Sequence, residues 1–138
     1  MERKTDYYEN TADIANKTSA KAPVFFKKNR FIVRFYDNET PEWIVNSLSM
    51  NGTELVINFN LCESHNAAKI FYKKMRMVDK FSIEIGFLDE VGCDIGKISI
   101  SDVWVKKIDN KLNLSYEDDS NVNMSVVFNI DEKNINYA

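Results

Sequence analysis

Residues 81–131, FSIEIGFLDEVGCDIGKISISDVWVKKIDNKLNLSYEDDSNVNMSVVFNID, decide the fold of this chain. At the start Phe81, Ile83, Ile85 and Phe87 alternate with Ser82, Glu84 and Gly86. At the end Val122, Met124, Val126, Phe128 and Ile130 alternate with Asn121, Asn123, Ser125 and Asn129, and only Val127 breaks the pattern. Successive side chains of a strand point to opposite faces, so each run can bury one row and wet the other. Between them IGKISI and VWVKKI are shorter β-rich runs on either side of Ser101-Asp102. Leu88-Asp89-Glu90-Val91-Gly92 has the acidic and glycine chemistry of a turn. The stretch predicts four antiparallel strands.

Upstream, Phe31, Val33 and Phe35 alternate with Ile32 and Arg34 and predict a strand over 30–36. Asp37-Asn38-Glu39-Thr40-Pro41 is a turn cluster, and Pro41 has no N–H to give a ladder. Trp43 to Leu48 reads as the return strand of a hairpin with 30–36. Asn51-Gly52 then signals a tight turn, because both residues tolerate positive φ. In the next strand Leu55, Ile57, Phe59 and Leu61 alternate with Glu54, Val56, Asn58 and Asn60. One helix is predicted, over about residues 64–77. Ser64 is its candidate N-cap, and Ala67, Ile70, Phe71 and Lys74 share one face, with Lys69, Lys73, Lys74 and Arg76 crowding its C-terminal half. The pattern is mainly β, a barrel or sandwich with one α-helix on an open side.

With 138 residues, 44% hydrophobic and 28% charged, the chain fits one domain with enough apolar material for a core. The net charge of −3 is unevenly spread: residues 1–30 hold seven Lys/Arg against four Asp/Glu, and residues 81–138 hold five against eleven. A basic start on an acidic body suits self-association better than nucleic-acid binding, which needs a basic face. Residues 1–23 are polar and show no sustained period, so they cannot bury enough to order themselves. They are either a loose tail or an arm that orders on a neighbouring subunit, with Tyr7, Tyr8 and Ile14 as anchors. Residues 24–138 form the body, and Val24-Phe25-Phe26 are the first to dock on it. There is no export-type apolar segment and nothing near the roughly 20 apolar residues of a membrane helix. The expected site of synthesis and residence is therefore the cytoplasm, with Cys62 and Cys93 reduced and buried.

The sequence offers no catalytic, cofactor or metal site. His65 is the only histidine, beside Glu63 and Ser64 at the helix start, where it reads as a surface or capping residue. One histidine and two distant cysteines do not make the three or four converging ligands of a metal centre. No phosphate-binding glycine loop is present. Glu117-Asp118-Asp119 lacks the glycine and terminal glutamate of a calcium loop. Trp43 and Trp104 lack the interleaved Lys/Arg of a base-stacking platform.

The order of a long strand, Leu88-Asp89-x-x-Gly92, a short strand, Asp102-Val103-Trp104, the acidic Leu114-x-Tyr116-x-Asp118-Asp119 segment and a final strand from Met124 to Asp131 resembles the tail tube proteins of contractile-tailed bacteriophages. Related tubes occur in phage-derived injection machines and in the haemolysin-coregulated protein of type VI secretion. The resemblance implies a tail-tube-like fold assembling into rings, usually hexameric. These would stack into a virion channel, built in the host cytoplasm, through which DNA passes without specific binding. It implies baseplate, sheath and tape-measure partners and no enzymatic activity. Tube-like baseplate or tail-completion proteins and injection-system tubes share the fold. From another class, a monomeric β-sandwich binding a small ligand or peptide fits the residues too. In a tube, Glu54, Asn58, Asn60, Ser82 and Glu84 are expected to face the lumen, since a cation-poor lining lets phosphate slide; on a monomer they are ordinary solvent-facing positions. Tyr7, Tyr8, Ile14, Glu117, Asp118 and Asp119 are the expected inter-subunit contacts, basic arm to acidic loop.

Overall fold

The computed structural model describes residues 22–109 and 111–138. Its elements in chain order are β1 (Phe31–Tyr36), β2 (Val45–Asn51), β3 (Glu54–Asn60), α1 (Ala67–Met77), β4 (Phe81–Leu88), β5 (Asp94–Asp109), β6 (Asn123–Asn129) and β7 (Ile135–Tyr137). All pairings are antiparallel, in the order β1-β4-β5-β6-β3-β2, with β7 added on β5. Residues 81–131 thus hold three strands rather than four. IGKISI and VWVKKI are the two halves of β5, a single strand of 16 residues.

The join between those halves shapes the molecule. Phe81 of β4 faces Val103 and Ile83 faces Ile100, so β5 carries one extra residue there. Asp102 sits at the same place with a φ of 54°. A bulge bends its strand, and this one carries β5 from one sheet to the other. Sheet I comprises β1, β4, the first half of β5 and β7; sheet II comprises the second half of β5, β6, β3 and β2.

The two inner faces share one core. Val33, Ile83, Ile85 and Ile100 from sheet I meet Leu55, Ile57, Phe59, Val105, Met124, Val126 and Phe128 from sheet II, all buried. These are the alternating apolar rows of the sequence. Each such side chain contributes roughly 1.5–3 kcal/mol on burial. Helix α1 covers the end of this interior where aromatic rings converge: Phe71 lies 4.8 Å from Phe59, 5.4 Å from Phe128 and 6.3 Å from Phe35. The helix begins later than expected, because Asn66 rather than Ser64 caps it, accepting from the N–H groups of Ala68 and Lys69 at 3.0 and 3.4 Å. Ser64 instead meets His65 Nδ1 at 3.1 Å.

The predicted hairpin between 30–36 and 43–48 does not form, since β1 pairs with β4 and β2 with β3. The segment joining them is a corner between sheets. Asp37 Oδ1 accepts from the N–H groups of Glu39 and Thr40 at 3.1 and 3.0 Å, and its Oδ2 accepts from the Thr40 hydroxyl. Asn38 has a φ of 63°, and Pro41 then leads into a one-turn 3-10 segment at Glu42–Ile44. Lys74 of α1 fastens this corner. Its Nζ lies 2.9 Å from Glu39 Oε2 and 3.4 Å from Asp37 Oδ2, and 5.2 Å from the centre of the Phe81 ring. Lys74 is only 5% exposed. Burial disfavours its ammonium, but Glu39 and Asp37 outweigh that and raise its pKa. Burial likewise pushes the Asp37 carboxyl up, yet its hydrogen bonds to Thr40 and Glu39, with Lys74 nearby, leave it lowered.

Candidate assembly surfaces

The strand order does not close on itself, so the subunit is described as an open sandwich. β1, β2 and the three-residue β7 each have one strand neighbour, so β1 and β2 form the two long edges. The Leu88 N–H donates to the Arg30 carbonyl at 3.0 Å. Hydrogen-bonded pairs alternate along an antiparallel ladder, so in this register Phe31, Val33 and Phe35 turn their N–H and C=O groups away from β4; Val33, 1% exposed, is covered within the subunit, and Phe31 and Phe35 are partly open. The β2–β3 turn is the two-residue Gly52-Thr53, with Gly52 at a φ of 61°, a conformation that costs glycine little. Such turns close on a hydrogen-bonded pair, here Asn51 and Glu54, which leaves the backbones of Met50 and Leu48 facing the second free edge. Unpaired edges are templates for another strand.

The two outer faces differ in chemistry. On sheet I, Arg34 Nη1 lies 2.8 Å from Glu84 Oε2, and Arg34 Nη2 lies 3.1 Å from Asp94 Oδ1. Lys97 stands 3.8 Å from Glu84, and the Tyr36 hydroxyl donates to Glu84 at 3.2 Å. Sheet II presents mostly amides and hydroxyls instead, Ser47 and Ser49 on β2, Asn58 and Asn60 on β3, and Asn123, Ser125 and Asn129 on β6, around an apolar patch of Val56, Val127 and Trp104. Its charges lie towards β5, where Lys106 pairs with Glu54 and holds it below the usual carboxylate range. Among the described residues, Asn58 carries a buried side-chain oxygen without a partner.

The five expected lumen residues therefore do not share a surface. Glu54, Asn58 and Asn60 stand on the outer face of sheet II, and Ser82 and Glu84 on that of sheet I. Neither carboxylate lacks a cation. Arg34 and Lys106, supplied by strands distant in sequence, sit on Glu84 and Glu54. Only pairing reveals that, so sequence reasoning missed both.

Two exposed segments lie near opposite ends of β5. At its start, Phe26 lies on Phe87 with ring centroids 4.6 Å apart and planes 7° from parallel. Gly96 makes this possible, because a Cβ there would stand 2.4 Å from Phe26 Cζ. The rest of this segment is bare, with Val24 68% and Phe25 72% exposed. At the other end, residues 111–122 are exposed throughout and include Glu117, Asp118 and Asp119. Hydrogen bonds from the Ser120 hydroxyl and N–H shape this loop and lower the Asp118 pKa. Tyr7, Tyr8 and Ile14 lie outside the described residues.

The other candidates are individually placed. His65 packs edge-on against Trp43, with centroids 5.3 Å apart. Cys62 and Cys93 are free; Cys62 is half-buried, but Cys93 is exposed, contrary to expectation, because it follows the tight turn in which Asp89 Oδ1 accepts its N–H at 2.9 Å. Trp104 lies half-buried on the outer face of sheet II. Among the described residues no three of His, Cys, Asp or Glu converge as a metal site, and no helix is long and apolar enough to cross a membrane.

No protein-family model and no curated protein sequence matches this chain. Solved structures do. A chain of the anti-feeding prophage tube-terminating cap superposes with a TM-score of 0.67 at 14% identity, covering 90% of this chain and 98% of its own. A chain of the six-fold symmetrised anti-feeding prophage baseplate gives 0.60 at 12% identity, covering 86% and 97%. Hcp1 from Flavobacterium johnsoniae gives 0.53 at 9% identity, covering 73% and 89%. The fold is the tail-tube-like fold that the sequence resembles.

Proposed function

We propose that this chain is a non-enzymatic structural subunit of a tube in a contractile injection or phage-tail apparatus. In this reading copies join through the free edges of β1 and β2 into a ring. The observation that carries it is a domain with a complete core whose two long edge strands, β1 and β2, each lack a second strand neighbour. Joining edge to edge around a ring removes such edges without changing the subunit. Support comes from the likeness to cap, baseplate and Hcp1 chains, which spans nearly the whole of the first two. The six-fold symmetry of the baseplate structure favours six copies per ring.

The outer face of sheet II then lines the channel. Its Asn and Ser side chains, Asn58 and Asn60 among them, carry no charge, and its cations are confined to Lys106 and Lys107 on β5, which suits passage of DNA. Sheet I, cross-linked by Arg34, becomes the outer wall, where sheath contacts belong, and tape-measure and baseplate proteins meet the lumen and the tube end. The likeness to a tube-terminating cap favours a second placement, at the end of the tube.

Negative-stain microscopy and native mass spectrometry of the purified protein test the reading. Rings of a defined copy number support it, long stacks indicating a tube and single or paired rings a cap. Compact monomers at every concentration overturn it in favour of a β-sandwich binding module. In a density map of the ring, Asn60 belongs on the inner wall; finding Glu84 there instead would reverse the two faces.

A further inference from the structure

We propose that residues 111–122 of one copy seat on residues 22–30 and the adjoining 88–93 turn of the next, so that rings stack head to tail through this contact. The inference rests on the tube reading and names the surface that extends a ring into a stack.

The loop is held in shape without burying its apolar side chains. Leu61 donates to the Val122 carbonyl at 2.8 Å, Asp118 to the Ser115 carbonyl at 3.2 Å, and Asp118 Oδ1 accepts the Ser120 N–H at 2.9 Å. Yet Leu112 and Leu114 are each 66% exposed, and Tyr116 is wholly exposed. Leu114, Tyr116 and Val122 line one open hollow beside Asp118, and an exposed apolar patch rimmed by polar groups marks a site that another surface covers.

The opposite end of β5 offers the complementary surface. Val24, Phe25, Lys27, Arg30, Leu88 and Val91 line an open cavity of about 500 Å³, with Asp89 and Glu90 on the same wall. Charge matches in both directions. Residues 22–30 carry Lys27, Lys28 and Arg30 and no acid, against Glu117, Asp118 and Asp119 of the loop; Lys111 of the loop answers Asp89 and Glu90. The charge of the basic start resides here, because residues 1–21 hold four Lys/Arg against four Asp/Glu. A strand of this length spans roughly 50 Å along its path, and the two patches lie near its two ends. Contact between two different patches of one molecule is heterologous, and it extends without closing when successive rings are displaced along the tube axis.

Two variants test this. Lys27→Glu/Lys28→Glu reverses the receiving segment, and Glu117→Lys/Asp119→Lys reverses the loop while leaving Asp118 to shape it. All four positions are exposed, so each variant should keep the wild-type melting temperature and still form rings. Each alone should give isolated rings by negative-stain microscopy. Mixing preformed rings of the two variants in equal amounts should restore stacks in which they alternate, because the loop of either variant then meets a segment of opposite sign on the other. Wild-type stacking by either variant alone, or a mixture that stays as isolated rings, overturns the contact while leaving the ring intact. Wild-type protein that never forms rings overturns the tube reading, and this contact with it.

Discussion

Lys74→Met removes the ammonium that fastens the corner between the two sheets. It leaves the Asp37 side chain, 2% exposed, without its cation. Breaking a buried pair by deleting one partner costs about 3–5 kcal/mol. Two features reduce that here: Asp37 keeps three hydrogen bonds from Glu39 and Thr40, and Glu39, 36% exposed, can turn to water. The expected loss is therefore about 2–3 kcal/mol, or a fall in Tm of roughly 8–12 °C for a domain of this size. Urea and thermal unfolding at pH 7 measure it, and Asp37→Asn/Lys74→Met should lose less than the sum of the single variants. The pH dependence has a defined sign. Asp37 has a lowered pKa in the fold, so its contribution is present above its unfolded value of roughly 3.9 and disappears as pH falls through the folded value. Lys74 has a raised pKa, so its contribution holds below roughly 10.4 and is lost as pH rises through the folded value. The gap between wild type and Lys74→Met should be level from about pH 5 to 10 and shrink in stronger acid. A Tm change under about 2 °C, or a gap that stays constant into acid, would refute the idea that this buried pair holds the corner.

Three further outcomes follow from the same structure. Phe71→Ala, which empties the centre of the ring cluster under α1, should cost about 3–4 kcal/mol in urea unfolding. Gly96→Ala should displace Phe26 from Phe87 and leave the sandwich folded, detected as faster proteolytic cleavage near residues 22–28 with a stability loss of about 1 kcal/mol. Deleting residues 2–21 should leave a folded body that still stacks in electron micrographs, because residues 22–30 and 111–122 remain; isolated rings from that deletion would place part of the contact in the deleted segment.

The periodic features were legible because burial is periodic. The rows Phe81 to Phe87, Leu55 to Phe59 and Met124 to Ile130 announce their strands, and those rows form the core. Even Val127, which breaks its row, lies on the outer face of β6 opposite Val56. What was not legible depends on pairing between distant residues. Ser101-Asp102 has the residues of a turn, and an aspartate at positive φ suits a bend within a strand as well. The partner of β1 lies some 50 positions away, so adjacency along the chain favoured the wrong hairpin. Lys74 among other lysines near a helix end reads as solvated, and only the corner brought by Asp37 and Glu39 explains its burial. Alternation assigned Glu54 and Glu84 to wet faces correctly, but strand order decides which sheet each belongs to and which cation meets it.

Amide hydrogen exchange of assembled against unassembled protein tests the central claim most directly. Completion of the free edges by neighbouring copies predicts that Phe31 and Phe35 of β1 and Leu48 and Met50 of β2 exchange rapidly in the monomer and become protected in the ring, whereas Val33, 1% exposed, is slow in both. Equal exchange of these four edge amides in both states would contradict it.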